Sequence, residues 1–426
     1  MLGTARHGVW AYRYGDPPLF EPVFDAAPVT ETALELHDPR GTAVIYRSTG
    51  TTDVVSLNRN RVPILWKSAR FAVRRLDGLA SGTWEPPGER DPPRPQAARA
   101  SPPDAARASP PQAARASSPD ATVVLRHVGR VVGRVARRKL RNATQQHQWF
   151  LGIRRRPADR LPGDDAGAWH TVVPPPDRSY ADPFVLAHGG RTFVFFEVLD
   201  HASGVGSLAV GHLDDGGLTG IEPILPMPHH TSYPYVFRDG EDIYLIPETG
   251  DARRVDLFAA VDFPTGWERV ATLIEGVNAV DATVLRHGGR YWMWVTIAVP
   301  GGRLYDETFL YSSDRLEAGW TPHPGNPVVS DARRARPAGR PFLHEGRLIR
   351  PSQSCAGRYG ERVMFNEIEA LTGDEYRERS RRCLGPEWTG GPNLAAHTYT
   401  FDDGWEATDG LRLFRRGPLG TARRRR

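Results

Sequence analysis

A hairpin-like unit that recurs four times between residues 180 and 355 constrains the fold of this chain more than any other feature. Each copy runs as an apolar strand, a turn that contains glycine, and a second apolar or aromatic strand. The turn glycines lie 50, 49 and 57 residues apart and are Gly190, Gly240, Gly289 and Gly346. A period near fifty built from turn-separated strands is typical of the blades of a β-propeller. We therefore predict a mainly β chain with its propeller over residues 148–415.

Such a fold gathers the first residues of each blade's inner strand around one axial pocket, so chemistry is expected where each repeat begins. Asp182 and Asp281 open two of the copies at the same phase. A carboxylate placed there is a candidate base or charge stabiliser. The alternative for Asp182 is a structural role, because Asp-Pro is also a common turn initiator.

Two glutamates, Glu197 and Glu248, recur at the far end of the hairpin, each after apolar strand residues. Partial burial would raise the pKa of such a carboxyl group and suit it to act as a general acid. The alternative is a salt bridge from each glutamate to one of the many arginines of the chain.

Aromatic and basic residues near these positions are candidate ligand contacts. Aromatic faces suit the apolar faces of sugar rings, and paired arginines suit a carboxylate or phosphate. The alternatives are core packing for the aromatics and surface loops for the arginines. We therefore assign substrate binding to Tyr180, Tyr233, Glu197, Trp292, Arg336, Arg350 and Gln353.

Composition excludes several classes of function. No Cys/His grouping has zinc-finger spacing, and no dinucleotide, P-loop, nucleophile-elbow or HExxH motif is present, so we expect no metal and no cofactor. Lysine occurs only at Lys67 and Lys139, which removes lysine chemistry from the repeats. The two cysteines, the absence of a long apolar run and the lack of a secretory pattern at the start favour a cytoplasmic protein without a membrane span.

Residues outside the repeats divide into four further segments. Residues 1–80 are a mixed α/β segment, 81–120 are a disordered linker with a Pro/Ala/Arg/Ser octapeptide repeat, and 416–426 are a basic tail. Residues 121–147 have valines and arginines at helical spacing and predict a basic helix. That helix could contact nucleic acid or an anionic membrane, or simply be solvated; no aromatic residue interleaves with its arginines before Trp149, which disfavours nucleic acid.

Several motifs resemble one family. Ser179-Tyr-Ala-Asp-Pro-Phe184, Thr231-Ser-Tyr-Pro-Tyr235, Ile246-Pro-Glu-Thr249 and Arg350-Pro-Ser-Gln353 resemble the N-terminal propeller domain of glucosamine inositolphosphorylceramide transferase and its bacterial relatives. That domain is similar to the five-bladed propellers of glycoside hydrolase family 43. The resemblance implies five blades here, and three carboxylates as base, pKa tuner and acid. Asp182 matches the base and Asp281 the tuner; for the acid Glu248 is the first candidate, then Glu197 or Glu367.

The function that this resemblance implies is binding of a carbohydrate or glycoconjugate, with chemistry at a glycosidic bond. The alternative is a non-catalytic recognition module that assists a partner glycosyltransferase. The motifs His7-Gly-Val-Trp-Ala-Tyr12 and Trp66-Lys-Ser-Ala69 also resemble the back half of a formyltransferase-like domain. The front half of that domain has no counterpart here, so we expect a remnant without formyl transfer.

Overall fold

The computed structural model describes residues 6–15, 19–88, 121–156, 169–214, 216–391 and 393–415. The chain divides into two compact units, Met1–Arg138 and Lys139–Arg426. Most of the predicted disordered linker and the predicted basic tail lie outside the described residues, so those two assignments stay predictions.

The first unit contains a three-stranded antiparallel sheet of β1 (Val9–Arg13), β2 (Val29–Asp38) and β3 (Gly41–Thr51). A short helix α1 (Glu21–Phe24) precedes β2, and a long helix α2 (Leu57–Ser81) follows β3. Phe71 of α2 is fully buried and stacks on Tyr46 of β3 at 4.2 Å between ring centroids. This is a small α/β arrangement, and its likeness to a formyltransferase remnant stays a prediction.

Helix α2 begins earlier than its apolar spacing suggests because its first turn is capped. The side chain of Ser56 accepts a hydrogen bond from the backbone N–H of Arg59, which satisfies one of the free donors of the first turn. The helix ends at Gly82, whose φ of 69° is left-handed. In the sequence, the helical spacing of the apolar residues from Leu65 to Leu76 predicts a helix only over residues 65–79.

A third helix, α3 (Ala121–Thr144), precedes the strand-rich part of the chain, which opens with β4 (Gln145–Arg155) and β5 (His170–Val172). The remaining strands fall into consecutive antiparallel sheets of four. The first two sheets are β6 (Arg178–His188), β7 (Arg191–Asp200), β8 (Gly206–Asp214) and β9 (Gly217–Ile224), then β10 (Ser232–Asp239), β11 (Asp242–Glu248), β12 (Arg254–Asp262) and β13 (Gly266–Glu275). The next two are β14 (Ala279–His287), β15 (Arg290–Ile297), β16 (Phe309–Ser313) and β17 (Thr321–Pro322), then β18 (Phe342–His344), β19 (Arg347–Ser354), β20 (Arg362–Leu371) and β21 (Tyr376–Leu384).

A fifth sheet of four strands is built from both ends of the strand-rich region. Strands β22 (Tyr399–Asp402) and β23 (Trp405–Arg415) pair with β4 and β5 in the order β22-β23-β4-β5. Single 3-10 turns lie at Gly250–Ala252 and Pro386–Thr389. The prediction of a mainly β fold is confirmed. No helix among the described residues has the length and apolarity needed to cross a membrane.

The first strands of three sheets each have a β-bulge near the beginning of the strand. The ladder register shifts there in β6, β10 and β14, and one residue in each bulge has a left-handed backbone. Such a conformation is strained for residues other than glycine, and bulges redirect side chains beside functional sites. The three residues are Asp182 (φ 51°), Tyr233 (φ 45°) and Asp281 (φ 55°).

Candidate functional site

Asp182 lies at the centre of a buried polar cluster that joins the first and fifth sheets. Its Oδ1 accepts a hydrogen bond from the Thr398 hydroxyl at 2.6 Å, and its backbone N–H donates to Asp409 Oδ2 at 3.1 Å. His397 places Nδ1 2.5 Å from Asp409 Oδ2 and Nε2 3.7 Å from Asp182 Oδ1. The imidazole therefore lies between two carboxylates, and Trp149 stacks on it at 4.0 Å.

These neighbours set the charge of the cluster. Burial alone would lower the pKa of His397, but the carboxylates of Asp409 and Asp182 outweigh burial and raise the pKa to about 9. Burial raises the pKa of Asp182 to about 6, with the charges of Asp281 and Asp409 adding to the rise and His397 opposing it. His397 is therefore an imidazolium near neutral pH, and Asp182 is a carboxylate that gains a proton in mild acid.

Glu197 is a second buried carboxyl group beside the first bulge, since it lies directly opposite Ala181 in the register of β6 and β7. Burial raises its pKa to about 8, and the negative charge of Asp182 contributes. Its nearest ion-pair partner among the described residues is His230, with Nε2 3.6 Å from Oε1, and burial lowers the pKa of His230. Glu197 is thus a carboxylic acid near neutral pH, and no described arginine forms a salt bridge with it.

Glu248 occupies the same place in the second sheet, opposite Ser232, but its environment differs. Arg336 donates to Glu248 Oε2 at 3.2 Å. Burial and the charge of Asp281 raise the pKa of Glu248 well above its usual range, although Arg336 opposes the rise. The salt-bridge alternative therefore applies to Glu248.

Asp281, in the third sheet, is held by two side chains from the segment around β19. Arg336 binds it through both Nε and a terminal nitrogen, the latter 3.1 Å from Oδ1. Gln353 donates to Asp281 Oδ2 at 3.1 Å and to the carbonyl of Pro337 at 3.1 Å. Both carboxylate oxygens of Asp281 are thus engaged, and Arg336 connects them to Glu248.

An aromatic side chain covers this network. The ring of Tyr359 lies over the guanidinium of Arg336 at 5.1 Å and meets the His397 ring edge-on at 5.5 Å. Tyr359 is nevertheless 42% exposed, unlike the ionisable groups beneath it. The site thus combines buried carboxyl groups of mixed protonation with an accessible aromatic face.

Four of the residues assigned to substrate binding are engaged elsewhere. The hydroxyl of Tyr233 is fully buried between Thr283 Oγ1 (2.9 Å) and the backbone N–H of Gly339 (2.8 Å). Tyr180 packs on Phe196 at 4.8 Å. Neither tyrosine hydroxyl forms a hydrogen bond with a carboxylate among the described residues.

Trp292 and Arg350 also make their contacts in the interior of the protein. The indole of Trp292 donates to the carbonyl of His287 at 3.2 Å, and the residue packs in an apolar cluster of its own. Arg350 is buried and binds both oxygens of Glu378 at 2.8 Å. Arg350 also donates to the carbonyls of residues 334 and 335, so it supports the segment that carries Arg336. Glu367, the last candidate acid, pairs with Arg381 at 2.5 Å, and that hydrogen bond lowers its pKa.

The residues that sequence reasoning did not assign to the site are His397 and Thr398, directly before β22, and Asp409 on β23. A signal was present in Thr398-Tyr-Thr-Phe-Asp-Asp-Gly404-Trp405, which is a fifth copy of the strand–turn–strand unit with a left-handed turn glycine. The stretch before its turn, Tyr399-Thr-Phe-Asp402, alternates apolar and polar residues instead of forming an apolar run, so the apolar pattern did not reveal it.

The donor atoms of Asp182, His397 and Asp409 lie within 4.8 Å of one another, a spacing that a cation could bridge. An imidazole must be neutral to ligate a metal, and the raised pKa of His397 favours the protonated form. The same three side chains form an ion-pair network, in which His397 would have to release its proton for a metal to bind.

Successive four-stranded antiparallel sheets, with ionisable side chains where their first strands begin, define a protein of the β-propeller class. Comparison with known families then gives the assignment. The chain belongs to the family described as glucosamine inositolphosphorylceramide transferase 1, N-terminal, whose model matches residues 170–384.

Similar proteins include glucosamine inositolphosphorylceramide transferase 1 of Arabidopsis thaliana, 32% identical over 236 residues that cover 50% of this chain and 30% of that protein. The protein of the same name from Oryza sativa subsp. japonica is 32% identical over 210 residues, which cover 48% of this chain and 28% of that protein. The chain thus spans less than a third of the length of these curated relatives.

Solved structures similar to this chain include family-43 and family-62 glycoside hydrolases. A β-xylosidase/α-arabinofuranosidase from a compost microbial metagenome has a TM-score of 0.40 at 12% identity, over 55% of this chain and 90% of that one. The catalytic domain of a Coprinopsis cinerea α-L-arabinofuranosidase has a TM-score of 0.38 at 15% identity, over 54% and 74%. At these scores the likeness carries no argument about the site.

Proposed function

We propose that residues 148–415 form a five-bladed propeller whose axial site binds a carbohydrate or glycoconjugate and acts on a glycosidic bond. The observation that carries the proposal is the split between two neighbouring carboxyl groups. Asp182 has a pKa of about 6 and Glu197 one of about 8, so one is a carboxylate and the other a carboxylic acid near neutral pH. Environments that separate the pKa values of two carboxyls define an acid and a base.

In this mechanism Glu197 donates its proton to the oxygen of the leaving group as the glycosidic C–O bond breaks. Asp182 accepts a proton from a water molecule or an acceptor hydroxyl, whose oxygen forms the new bond to the anomeric carbon. His397 and Thr398 hold Asp182 in place and favour its charged form. Asp281, fixed by Arg336 and Gln353, contributes negative charge to the electropositive sugar ring of the transition state.

Glu197 replaces Glu248 as the acid in this proposal for a geometric reason. Arg336 already binds Oε2 of Glu248 and favours the charged form of that carboxyl group, whereas no described arginine pairs with Glu197. Tyr359 offers an exposed ring for the apolar face of a sugar, and the protonated carboxyl groups can donate hydrogen bonds to sugar hydroxyls.

A second candidate is a non-catalytic recognition module that assists a partner glycosyltransferase. The observation that favours it is the internal satisfaction of Asp281, whose two oxygens are occupied by Arg336 and Gln353. The curated relatives are named as transferases and are more than three times as long as the matched region. In this alternative the same site binds the sugar, and bond chemistry occurs on the partner.

The test is binding of the full chain to an array of glycans and sugar nucleotides that includes glucosamine conjugates, with released sugar measured on every ligand that binds. Asp182→Asn and Glu197→Gln are the site variants, and Glu367→Gln, which alters an ion pair on β20, is the matched control. Release that is lost in both site variants and kept in the control supports the glycosidic mechanism. Binding without release, weakened in the site variants, supports the recognition module.

Absence of binding to every ligand would refute both candidates. Equal binding and release in wild type, Asp182→Asn and Glu197→Gln would refute the assignment of the site.

A further inference from the structure

Helix α3 has two chemically distinct faces. At 100° per residue most of its valines and Leu125 fall in one sector, and most of its arginines fall in the opposite one. The basic residues are Arg126, Arg130, Arg134, Arg137, Arg138, Lys139 and Arg141. No aspartate or glutamate occurs anywhere in the helix.

The apolar face of α3 is open to solvent. Leu125 is 71% exposed, Val132 60% and Val128 50%, and Val124 is exposed beside them. A single exposed apolar residue on a surface is ordinary, but a row at helical spacing marks an interaction surface. In a helix of 24 residues, this row runs along the first half.

The basic face is not neutralised within the protein. Among the described residues no carboxylate forms a salt bridge with the arginines of α3, and those guanidinium nitrogens of Arg134 and Arg141 that are shielded from solvent have no hydrogen-bond partner. Arg137 donates only to the carbonyl of Gly133 in its own helix. The helix therefore presents an excess of positive charge together with exposed apolar side chains.

We infer that α3 is a membrane-surface helix that binds anionic phospholipid headgroups. A helix with a strongly basic face, an apolar face and no acidic residue lies in the plane of a bilayer interface, with its apolar side chains in the acyl boundary. Long arginine side chains extend from there to the phosphates, and anionic lipid adds attraction for each cation near the surface. Nucleic acid would engage the basic face only and would leave Leu125, Val128 and Val132 in water.

None of the residues of this surface belongs to the carboxylate site, so the inference stands apart from the proposed function. It requires only that the chain meet a leaflet that carries negative charge. A polyanionic protein partner would satisfy the arginines, but it would not take up an apolar row flanked only by cations.

The experiment is co-sedimentation of the full chain with phosphatidylcholine vesicles, with and without phosphatidylserine. The variant Leu125→Glu/Val128→Glu/Val132→Glu removes the apolar face, and glutamate keeps the helix because its helix propensity is high. Leu343→Glu is the matched control, since Leu343 of β18 is 65% exposed and carries the same substitution. A second variant, Arg130→Gln/Arg134→Gln/Arg137→Gln, removes charge and keeps the apolar face.

We expect wild type and Leu343→Glu to bind phosphatidylserine vesicles, and both triple variants to lose at least about tenfold in affinity. Binding should also weaken with added salt and be poor on pure phosphatidylcholine. Equal binding by the Leu125→Glu/Val128→Glu/Val132→Glu variant, or no binding by wild type, would overturn the inference. So would binding to duplex DNA that needs the arginines but not the apolar face, if vesicle binding is absent.

Discussion

Replacement of Arg336 by methionine tests whether the carboxylate site is held together as the structure indicates. Arg336 binds both oxygens of Asp281, whose side chain is 1% exposed, and also Glu248. Methionine keeps the length and much of the apolar stem, so the change removes the charge with little loss of packing. Asp281 then keeps Gln353 as a hydrogen-bond donor but loses the guanidinium that compensates its buried charge.

Removal of one partner from a buried ion pair costs about 3–5 kcal/mol, because the other charge stays desolvated and uncompensated. For a domain of this size, each kcal/mol lowers the unfolding midpoint by about 2–4 °C, so we expect a drop of roughly 10 °C. The double variant Arg336→Met/Asp281→Asn removes the orphaned charge as well. It should recover most of the loss and give a coupling free energy of about 2 kcal/mol or more.

Thermal unfolding followed by circular dichroism and tryptophan fluorescence measures these differences. Arg333→Met is the control, because Arg333 pairs with Asp331 in the same segment but is 53% exposed in its side chain. An exposed pair of this kind contributes about 0–1 kcal/mol. If Arg336→Met and Arg333→Met cost the same, or if Asp281→Asn adds to the loss instead of relieving it, the reasoning is refuted.

Three further predictions follow from the pKa values and the backbone. If the site is catalytic, activity should rise as Asp182 loses its proton near pH 6 and fall as Glu197 loses its proton near pH 8, and Glu197→Gln should abolish the turnover that shows this profile. The raised pKa of His397 gives stability that is complete below about pH 6.5 and is lost as pH rises through about 9, on the order of 3 kcal/mol; urea unfolding of His397→Asn should show a flatter dependence between about pH 6.5 and 9. Gly339→Ala should lower the free energy of unfolding in urea by more than about 3 kcal/mol, because Gly339 has a φ of 133° and a Cβ there would meet the backbone of β22. Gly189 is also left-handed but faces open space, so Gly189→Ala should lower it by about 1 kcal/mol. Equal losses in the two variants would contradict this account.

Local sequence features are enough to predict the strands and turns of the sheets. Apolar alternation and turn glycines such as Gly190 and Gly289 specify a hairpin without reference to the rest of the chain, and both have left-handed φ angles in the structure. The position of Asp182 and Asp281 in the repeat likewise indicated where to look for the site, and the structure connects both to one network of ionisable groups.

The features of the site that the sequence did not predict depend on long-range packing. The left-handed backbone at Tyr233 comes from the bulge between two strands, and no local sequence motif predicts it. Arg350 was expected to contact ligand, yet its partner Glu378 belongs to a different strand and leaves it buried. His397 reaches Asp182 only because the fifth sheet packs beside the first, a contact between residues more than 200 positions apart.

The pairing of β4 with β23 has a consequence for how the chain is made. Trp405 pairs with Arg155, so β4 leaves the ribosome about 250 residues before its partner exists, a wait of roughly tens of seconds at ordinary synthesis rates. During that interval the edge of β4 that will receive β23 is open to wrong pairing. Asp409 lies on β23, and its carboxylate is the group that holds the backbone of Asp182 and the ring of His397. A nascent chain that stalls before residue 409 can therefore have formed every hairpin of the first four sheets and still lack the assembled site.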